Sequence, residues 1–210
     1  MEKDKNSLIK YWKNENAVRD EKVINAFKKI PRENFILKEN LHEAYGDYPL
    51  DIGYNATISQ PTTVVIMLES LEVKEGNKVL EIGTGSGYSS ALLSVLVGNK
   101  GKIYTTEIVK ELSEFAKKNL KKLKIKNVKV FLEDGSNGLI KYAPYDRIIL
   151  HAASECIPDE IIKQLKNNGI FLGPIGNQYS QNLIKITKKK NKTIKENLGD
   201  FIFVPLQKRE

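Results

Sequence analysis

From Lys78 onward, short apolar runs alternate with stretches of helical spacing. KVLEI (78–82) has the unbroken hydrophobicity of a strand buried on both faces. YSSALLSVLV (88–97) is an apolar run of helical length, ended by Gly98. KIYTTE (102–107) predicts a second strand, residues 109–123 an amphipathic helix, and VKVFLE (128–133) a third strand. YDRIILHAA (145–153) predicts a fourth strand, residues 158–166 a helix opened by Pro158, and GIFLGPIG (169–176) a fifth strand. This alternation predicts βαβ units and a mostly parallel sheet covered on both faces, a doubly wound α/β fold.

Before that core, helices are expected near 4–13 and 20–30, where Val23, Phe27 and Ile30 recur at helical spacing and Pro31 ends the second. A short helix is expected over 39–43. The stretch from Ala44 to Asn55, punctuated by Gly and Pro, reads as loop or short strand. Pro61 opens the apolar helix TTVVIMLESL in its first turn. After the core, LIKIT (183–187), a KKKNK tip and a strand within 193–206 form an antiparallel hairpin on the sheet edge. A single domain over 1–210 is expected: an N-terminal segment (1–75) on the substrate side, the βαβ core (76–176), and a β-rich tail (177–210).

The 210 residues include 34 Lys+Arg against 26 Asp+Glu, a net charge of +8. Only Arg19, Arg32, Arg147 and Arg209 are arginine, so the guanidinium forks that read bases and phosphates are scarce. Lys117-Lys118, Lys121-Lys122 and Lys188-Lys189-Lys190 read as solvated faces and a hairpin tip rather than a nucleic-acid footprint. A lone cysteine, Cys156, closes no intrachain disulfide and reads as a small apolar filler; with only His42 and His151 as imidazoles, a structural zinc or His-rich metal site is excluded. No apolar run approaches the ~20 residues needed to cross a bilayer. The opening MEKDKNSLIKYW lacks the apolar core of a secretory signal, so a cytoplasmic protein without a membrane partner is expected.

The chemistry-bearing stretch is Glu81-Ile82-Gly83-Thr84-Gly85-Ser86-Gly87. A glycine-rich turn between a strand and its helix lets backbone approach a ligand closely. The GxGxG spacing departs from the GxGxxG of dinucleotide binders. With an acidic residue two positions before Gly83, it resembles motif I of class I S-adenosylmethionine methyltransferases, which implies a Rossmann-like sheet. Glu107 ends the second strand, where a carboxylate can accept from both ribose hydroxyls. Glu133-Asp134-Gly135 ends the third, where Asp134 and Gly135 can take the adenine. Thr84 is either turn chemistry or a ligand contact. Glu81 orients the methionine end of the cofactor, directly or through water.

Outside the core stand Ala56-Thr57-Ile58-Ser59-Gln60-Pro61, Pro31-Arg32-Glu33-Asn34-Phe35, Ala143-Pro144-Tyr145-Asp146, Pro174-Ile175-Gly176 and Phe203-Val204-Pro205-Leu206. In this order and spacing they resemble the protein-L-isoaspartate O-methyltransferase family over nearly the whole chain. That resemblance implies methylation of the displaced carboxyl of isoaspartyl residues in damaged proteins and peptides by S-adenosyl-L-methionine, with S-adenosyl-L-homocysteine as product. It further implies that the Ser59 hydroxyl holds the acceptor carboxylate and that Thr57 and Ile58 flank the peptide. Read from the residues alone, Ser59 is first a cap for the following helix, and Thr57 and Ile58 are equally suited to pack a loop onto the core. Because the acceptor carboxyl, with a pKa near ~4, is ionised at neutral pH, no strong general base is required, and no His/Asp catalytic pairing is recognisable.

His151 departs from the family pattern, as does Val64. His151 sits near the expected peptide site, where it either reads the substrate or fills space. Other acceptors, an aspartate of a dedicated peptide or RNA, and an idle cofactor-binding adaptor are the competing readings. A monomer without a specific nucleic-acid partner is expected.

Overall fold

The computed structural model describes residues 4–177, 179–190 and 192–208. Helices α1 (Lys5–Asn14) and α2 (Glu21–Lys29) and two 3-10 turns (Arg32–Phe35, Lys38–Glu43) lead to a small hairpin, β1 (Leu50–Gly53) and β2 (Ala56–Ile58). Helix α3 (Pro61–Ser70) follows, then β3 (Lys78–Ile82), α4 (Tyr88–Val97), β4 (Lys102–Glu107), α5 (Lys110–Lys122) and β5 (Val128–Leu132). The chain continues through β6 (Tyr145–Leu150), α6 (Asp159–Lys163), β7 (Leu165–Gly176), β8 (Gln181–Lys188) and β9 (Thr193–Phe201).

Seven strands form one sheet in the order β5-β4-β3-β6-β7-β8-β9. The junctions from β5 through β7 are parallel, and β8 and β9 are added antiparallel. After β3 the chain winds outward to β4 and β5, then returns to place β6 on the other side of β3. Connections therefore leave the C-terminal ends of β3 and β6 in opposite directions, and a crevice opens between them.

Strand residues alternate between two core clusters, as a pleated sheet requires. Val79, Ile103, Ile149 and Leu172 face a cluster fed by all five longer helices, α1 to α5. Leu80, Ile82, Tyr104, Ile148 and Phe171 face the other, closed by Ile161 of α6 and by Tyr142 stacked on Tyr104 at 4.5 Å. Trp12 of α1 is fully buried and donates from Nε1 to Thr62 Oγ1 at 2.7 Å, fastening the N-terminal helices to α3. Among the described residues no helix is long and apolar enough to cross a membrane.

Four expectations need correction. The helix expected over 158–166 covers only Asp159–Lys163, because Gln164 leaves it to bridge Asn137 O and Leu139 N, and Leu165 already pairs with Tyr145. The strand expected over 169–176 thus begins at Leu165, and a register shift opposite Tyr145/Arg147 absorbs Asn168 at φ 62°. The fourth strand stops at Leu150 rather than residue 153: His151 N makes a last bond to Ile82 O, and Ala153 is taken up by the tail through Val204 O and Leu206 N. Cys156, expected as filler, is exposed.

Candidate active site

The loop after β3 has the conformation that only glycine adopts readily. Gly83, Gly85 and Gly87 have φ of 89°, 53° and 87°. Gly83 N and Thr84 N both donate to Thr106 O, at 3.0 and 3.1 Å, and Thr84 Oγ1 lies 2.6 Å from Thr105 Oγ1, so the loop is laced to β4. Gly83, Thr84 and Gly85 line the crevice; Gly87 does not. A Cβ on Gly87 would stand 3.2 Å from Ala116 Cβ of α5, so this glycine serves helix packing rather than ligand approach. Gly87→Ala should lower stability by about 1–3 kcal/mol in thermal unfolding, from left-handed backbone plus crowding. Ligand binding in the crevice should stay within a few fold.

Glu107 ends β4 at the crevice wall and is 7% exposed. Its Oε2 accepts from Gly85 N at 2.8 Å, and its Oε1 from Ile108 N and Val109 N at 2.9 and 3.0 Å. Three of roughly four acceptor positions are therefore filled by backbone, and the open one is on Oε2. At the end of β5, Glu133 and Gly135 line the crevice, whereas half-buried Asp134 does not. Asp134 Oδ1 instead accepts from Ser136 N at 2.8 Å and shapes the turn. Gly135 is needed for closeness: a Cβ there would lie 2.2 Å from Thr106 Oγ1 and 2.9 Å from Ile82 Cγ2.

On the opposite wall, Thr57 and Ile58 belong to β2 rather than to a loop, with Thr57 exposed opposite Asp51 and Ile58 buried opposite Leu50. Both line the crevice with Ser59. Ser59 does not cap α3. The cap position is Gln60, which makes no side-chain cap bond, and Asp47 serves the helix start by accepting from Thr62 N at 2.9 Å and Thr62 Oγ1 at 2.7 Å. The Ser59 carbonyl accepts from Arg32 Nη1 at 2.9 Å; its hydroxyl has no hydrogen-bond partner among the described residues. Val64, on the first turns of α3, is buried and also lines the crevice.

Glu81 is fully buried and lies behind the crevice wall. Its Oε2 accepts from Ser90 Oγ, and its Oε1 lies 3.2 Å from His151 Nε2, an ion-pair distance without hydrogen-bond alignment. His151 lines the crevice beside Gly83, so Glu81 reaches it through the imidazole. The two residues are remote in sequence and come together because β3 and β6 are parallel neighbours. That proximity of a histidine and a glutamate was not visible in the sequence.

Sequence reasoning missed several lining residues. Tyr88 and Ser89 begin α4, Thr106 precedes Glu107, and Val204, Pro205 and Leu206 return from the tail. Tyr88 and Ser89 directly follow the glycine loop, which could have signalled them; nothing local to the FVPL segment places it at a crevice formed far earlier in the chain. Burial pushes the Tyr88 phenol well above its ordinary pKa, so it stays neutral.

The ligand that a glycine-rich turn between a strand and its helix implies here is a nucleoside. The residues present fit such a ligand. Ser89 Oγ, Thr106 Oγ1 and Tyr88 Oη are buried without partners among the described residues, and such groups are costly unless something hydrogen-bonds them. Gly83 and Gly85 leave backbone bare beside the carboxylate of Glu107.

The family model for protein-L-isoaspartate(D-aspartate) O-methyltransferase matches residues 2–210 of this chain. The chain belongs to that family. A protein-L-isoaspartate O-methyltransferase of Methanosarcina mazei is 50% identical over 193 residues, 91% of this chain and 79% of the relative. A solved protein-L-isoaspartate O-methyltransferase superposes with a TM-score of 0.88 at 30% identity, over 98% of this chain. This chain spans 66% of that protein's length. A Plasmodium falciparum structure carrying the same enzyme name, solved with S-adenosyl-L-homocysteine, gives a TM-score of 0.84 at 28% identity over 97% of this chain and 98% of that one. The class I methyltransferase sheet, parallel except for its antiparallel C-terminal strands, is the fold shared with these family members.

Proposed function

We propose that Ser59 holds the acceptor in the reaction of this family, methyl transfer from S-adenosyl-L-methionine to the free carboxyl of an L-isoaspartyl residue in a damaged protein. The chain is a methyltransferase of this kind, and esterification starts the return of the damaged residue to aspartate. One observation carries the assignment of roles. A single crevice brings the glycine loop and Glu107 from the core together with an unengaged serine hydroxyl from the N-terminal segment.

When bound, S-adenosyl-L-methionine supplies an electrophilic methyl group on a positively charged sulfur. Glu107 accepts from the ribose hydroxyls, first on Oε2; a second bond needs Oε1 to share with the amides of Ile108 and Val109. Gly83, Thr84 and Gly85 would lie against the cofactor, and Gly135 would take the adenine end, with Asp134 shaping the turn behind it. The hydroxyls of Ser89 and Thr106 gain partners. Ser59 donates to the carboxylate and aims an oxygen at the methyl carbon, where alignment within ~3–3.5 Å lowers much of the barrier. No residue has to remove a proton, because the acceptor is already an anion at neutral pH. Val204, Pro205 and Leu206 line the crevice beside these groups, and a site that dried on substrate binding would favour a transfer in which opposite charges cancel.

Thr57 and Ile58 flank the peptide on β2, and His151, backed by Glu81, faces it from β6. Segment 1–75 thus supplies the acceptor side, 76–176 the cofactor side and 177–210 the closing tail of one functional unit. That unit acts as a monomer in the cytoplasm, with isoaspartyl proteins and peptides as partners and no specific nucleic acid or membrane. Incubation with labelled S-adenosylmethionine and matched isoaspartyl peptide, aspartyl peptide and RNA tests the reading. Base-labile label confined to the isoaspartyl peptide is the expected outcome; label on the aspartyl peptide or RNA alone overturns it.

A further inference from the structure

Arg32 is a charged side chain with no exposed surface. It sits at the start of the first 3-10 turn, where Pro31 ends the preceding connection and the chain turns inward. Its Nε donates to Ala44 O at 2.8 Å and its Nη1 to Ser59 O at 2.9 Å. Its guanidinium lies 5.3 Å from the ring centroid of Tyr88, the first residue of α4. One side chain thus ties the acceptor wall of the crevice to the helix that follows the glycine loop.

The surroundings do not neutralise this cation. Buried arginines are almost always paired with an acid, yet among the described residues no carboxylate lies within ion-pair distance of Arg32. Asp47, whose oxygens accept from Thr62, attracts it only from farther away, beyond ion-pair distance. The nearby phenols of Tyr45 and Tyr88 are held neutral by burial, and Glu33 accepts from Tyr45 Oη at 2.5 Å. Carbonyl dipoles and a ring face are what remain. The third nitrogen, Nη2, is buried with no hydrogen-bond partner among the described residues.

We propose that Arg32 is a positioning residue for the acceptor: it pins Ser59 through its carbonyl, and its unpaired buried charge favours an arriving carboxylate over a neutral group. The inference rests on the reading of Ser59 as the acceptor-binding residue. Arg32 does not itself line the crevice; it stands one layer behind, in contact with two residues that do. Charges interact over several ångströms when water is excluded between them, so direct contact is not needed for the field to act. The methyl ester produced is neutral, so the same field gives no hold on the product, and discrimination between acid and ester aids release.

Two substitutions separate the two parts of the role. Arg32→Lys keeps the charge but cannot reach both carbonyls; Arg32→Gln keeps hydrogen-bonding capacity and removes the charge. Peptide binding is measured in saturating S-adenosylhomocysteine, with an isoaspartyl peptide and the same peptide carrying a carboxamide in place of the acceptor carboxylate. Arg32→Gln should cut the preference for carboxylate over carboxamide by about tenfold, the size expected for one charge-dependent interaction, with S-adenosylhomocysteine affinity within about twofold. Arg32→Lys should retain that preference while kcat falls at least about fivefold, because Ser59 loses its tether. An undiminished preference in Arg32→Gln, an equal loss of S-adenosylhomocysteine binding, or an unchanged kcat in Arg32→Lys overturns the proposal. If Arg32→Gln does not fold, Arg32→Met, which also lacks the charge, takes its place in the preference measurement with the same expected loss. Ser59→Ala run in parallel keeps the two readings apart. If it leaves turnover unchanged while Arg32→Gln loses the preference, the role of Ser59 fails and the charge effect stands. If it slows turnover while the Arg32 variants behave as wild type, only the Arg32 inference fails.

Discussion

Glu107→Ala will weaken binding of S-adenosylhomocysteine by about 100-fold in calorimetry, and Glu107→Gln by about tenfold. A hydrogen bond to a charged group contributes about 1.5–3 kcal/mol, and alanine removes every acceptor this carboxylate offers to a ribose. It also strips the partner from Gly85 N, Ile108 N and Val109 N, three amides around the crevice wall. The glycine loop then loses one of the bonds that hold it to β4, so the site becomes looser as well as less polar. Glutamine keeps one carbonyl oxygen and the side-chain shape, which preserves part of that lattice and explains its smaller effect. An alanine variant that melts like wild type and binds within threefold of it would remove Glu107 from the cofactor site.

Ser59→Ala should lower kcat/KM for an isoaspartyl peptide by about 10- to 100-fold while S-adenosylhomocysteine binds within about twofold of wild type. The asymmetry follows from position. Ser59 Oγ has no protein partner to lose, and Asp47 rather than Ser59 serves the start of α3, so neither core nor helix is disturbed. The loss therefore falls on the acceptor. Nucleophilicity is unaffected, because the carboxylate needs no activation at neutral pH; what is lost is orientation. The deficit should accordingly persist at saturating cofactor. Abolished cofactor binding in a folded Ser59→Ala would show that this serine belongs to the other side of the crevice.

The parts of the molecule with strong local signals follow from the chain's own pattern. KVLEI, YSSALLSVLV and KIYTTE occupy β3, α4 and β4 with the boundaries their hydrophobic runs predict, because each run is bounded by a glycine or a charge change that acts on backbone conformation directly. Gly83 and Gly85 were legible as a tight turn, and they line the crevice, for the same reason: positive φ is readily adopted by glycine itself. Glu107 was legible because a strand end in a parallel sheet has a defined place.

Where a side chain meets something far along the chain, the sequence was silent. Gly87 belongs to the same motif as Gly83 but is spent on Ala116 of α5. Glu81 and His151 look like unrelated residues until β3 and β6 lie side by side. The early stop of β6 and the return of Val204 to Leu206 are decided together, by tail backbone competing for Ala153. The placement of β8 beside β7, with β9 at the edge, likewise needed the assembled sheet. Local conformation depends on a few neighbouring residues and is written in them, so the sequence by itself determined the alternating elements and the glycine turn. The sheet order, the facing of Ser59 across from Glu107, and the unpaired charge of Arg32 behind it arise from long-range packing, which only the tertiary structure decided.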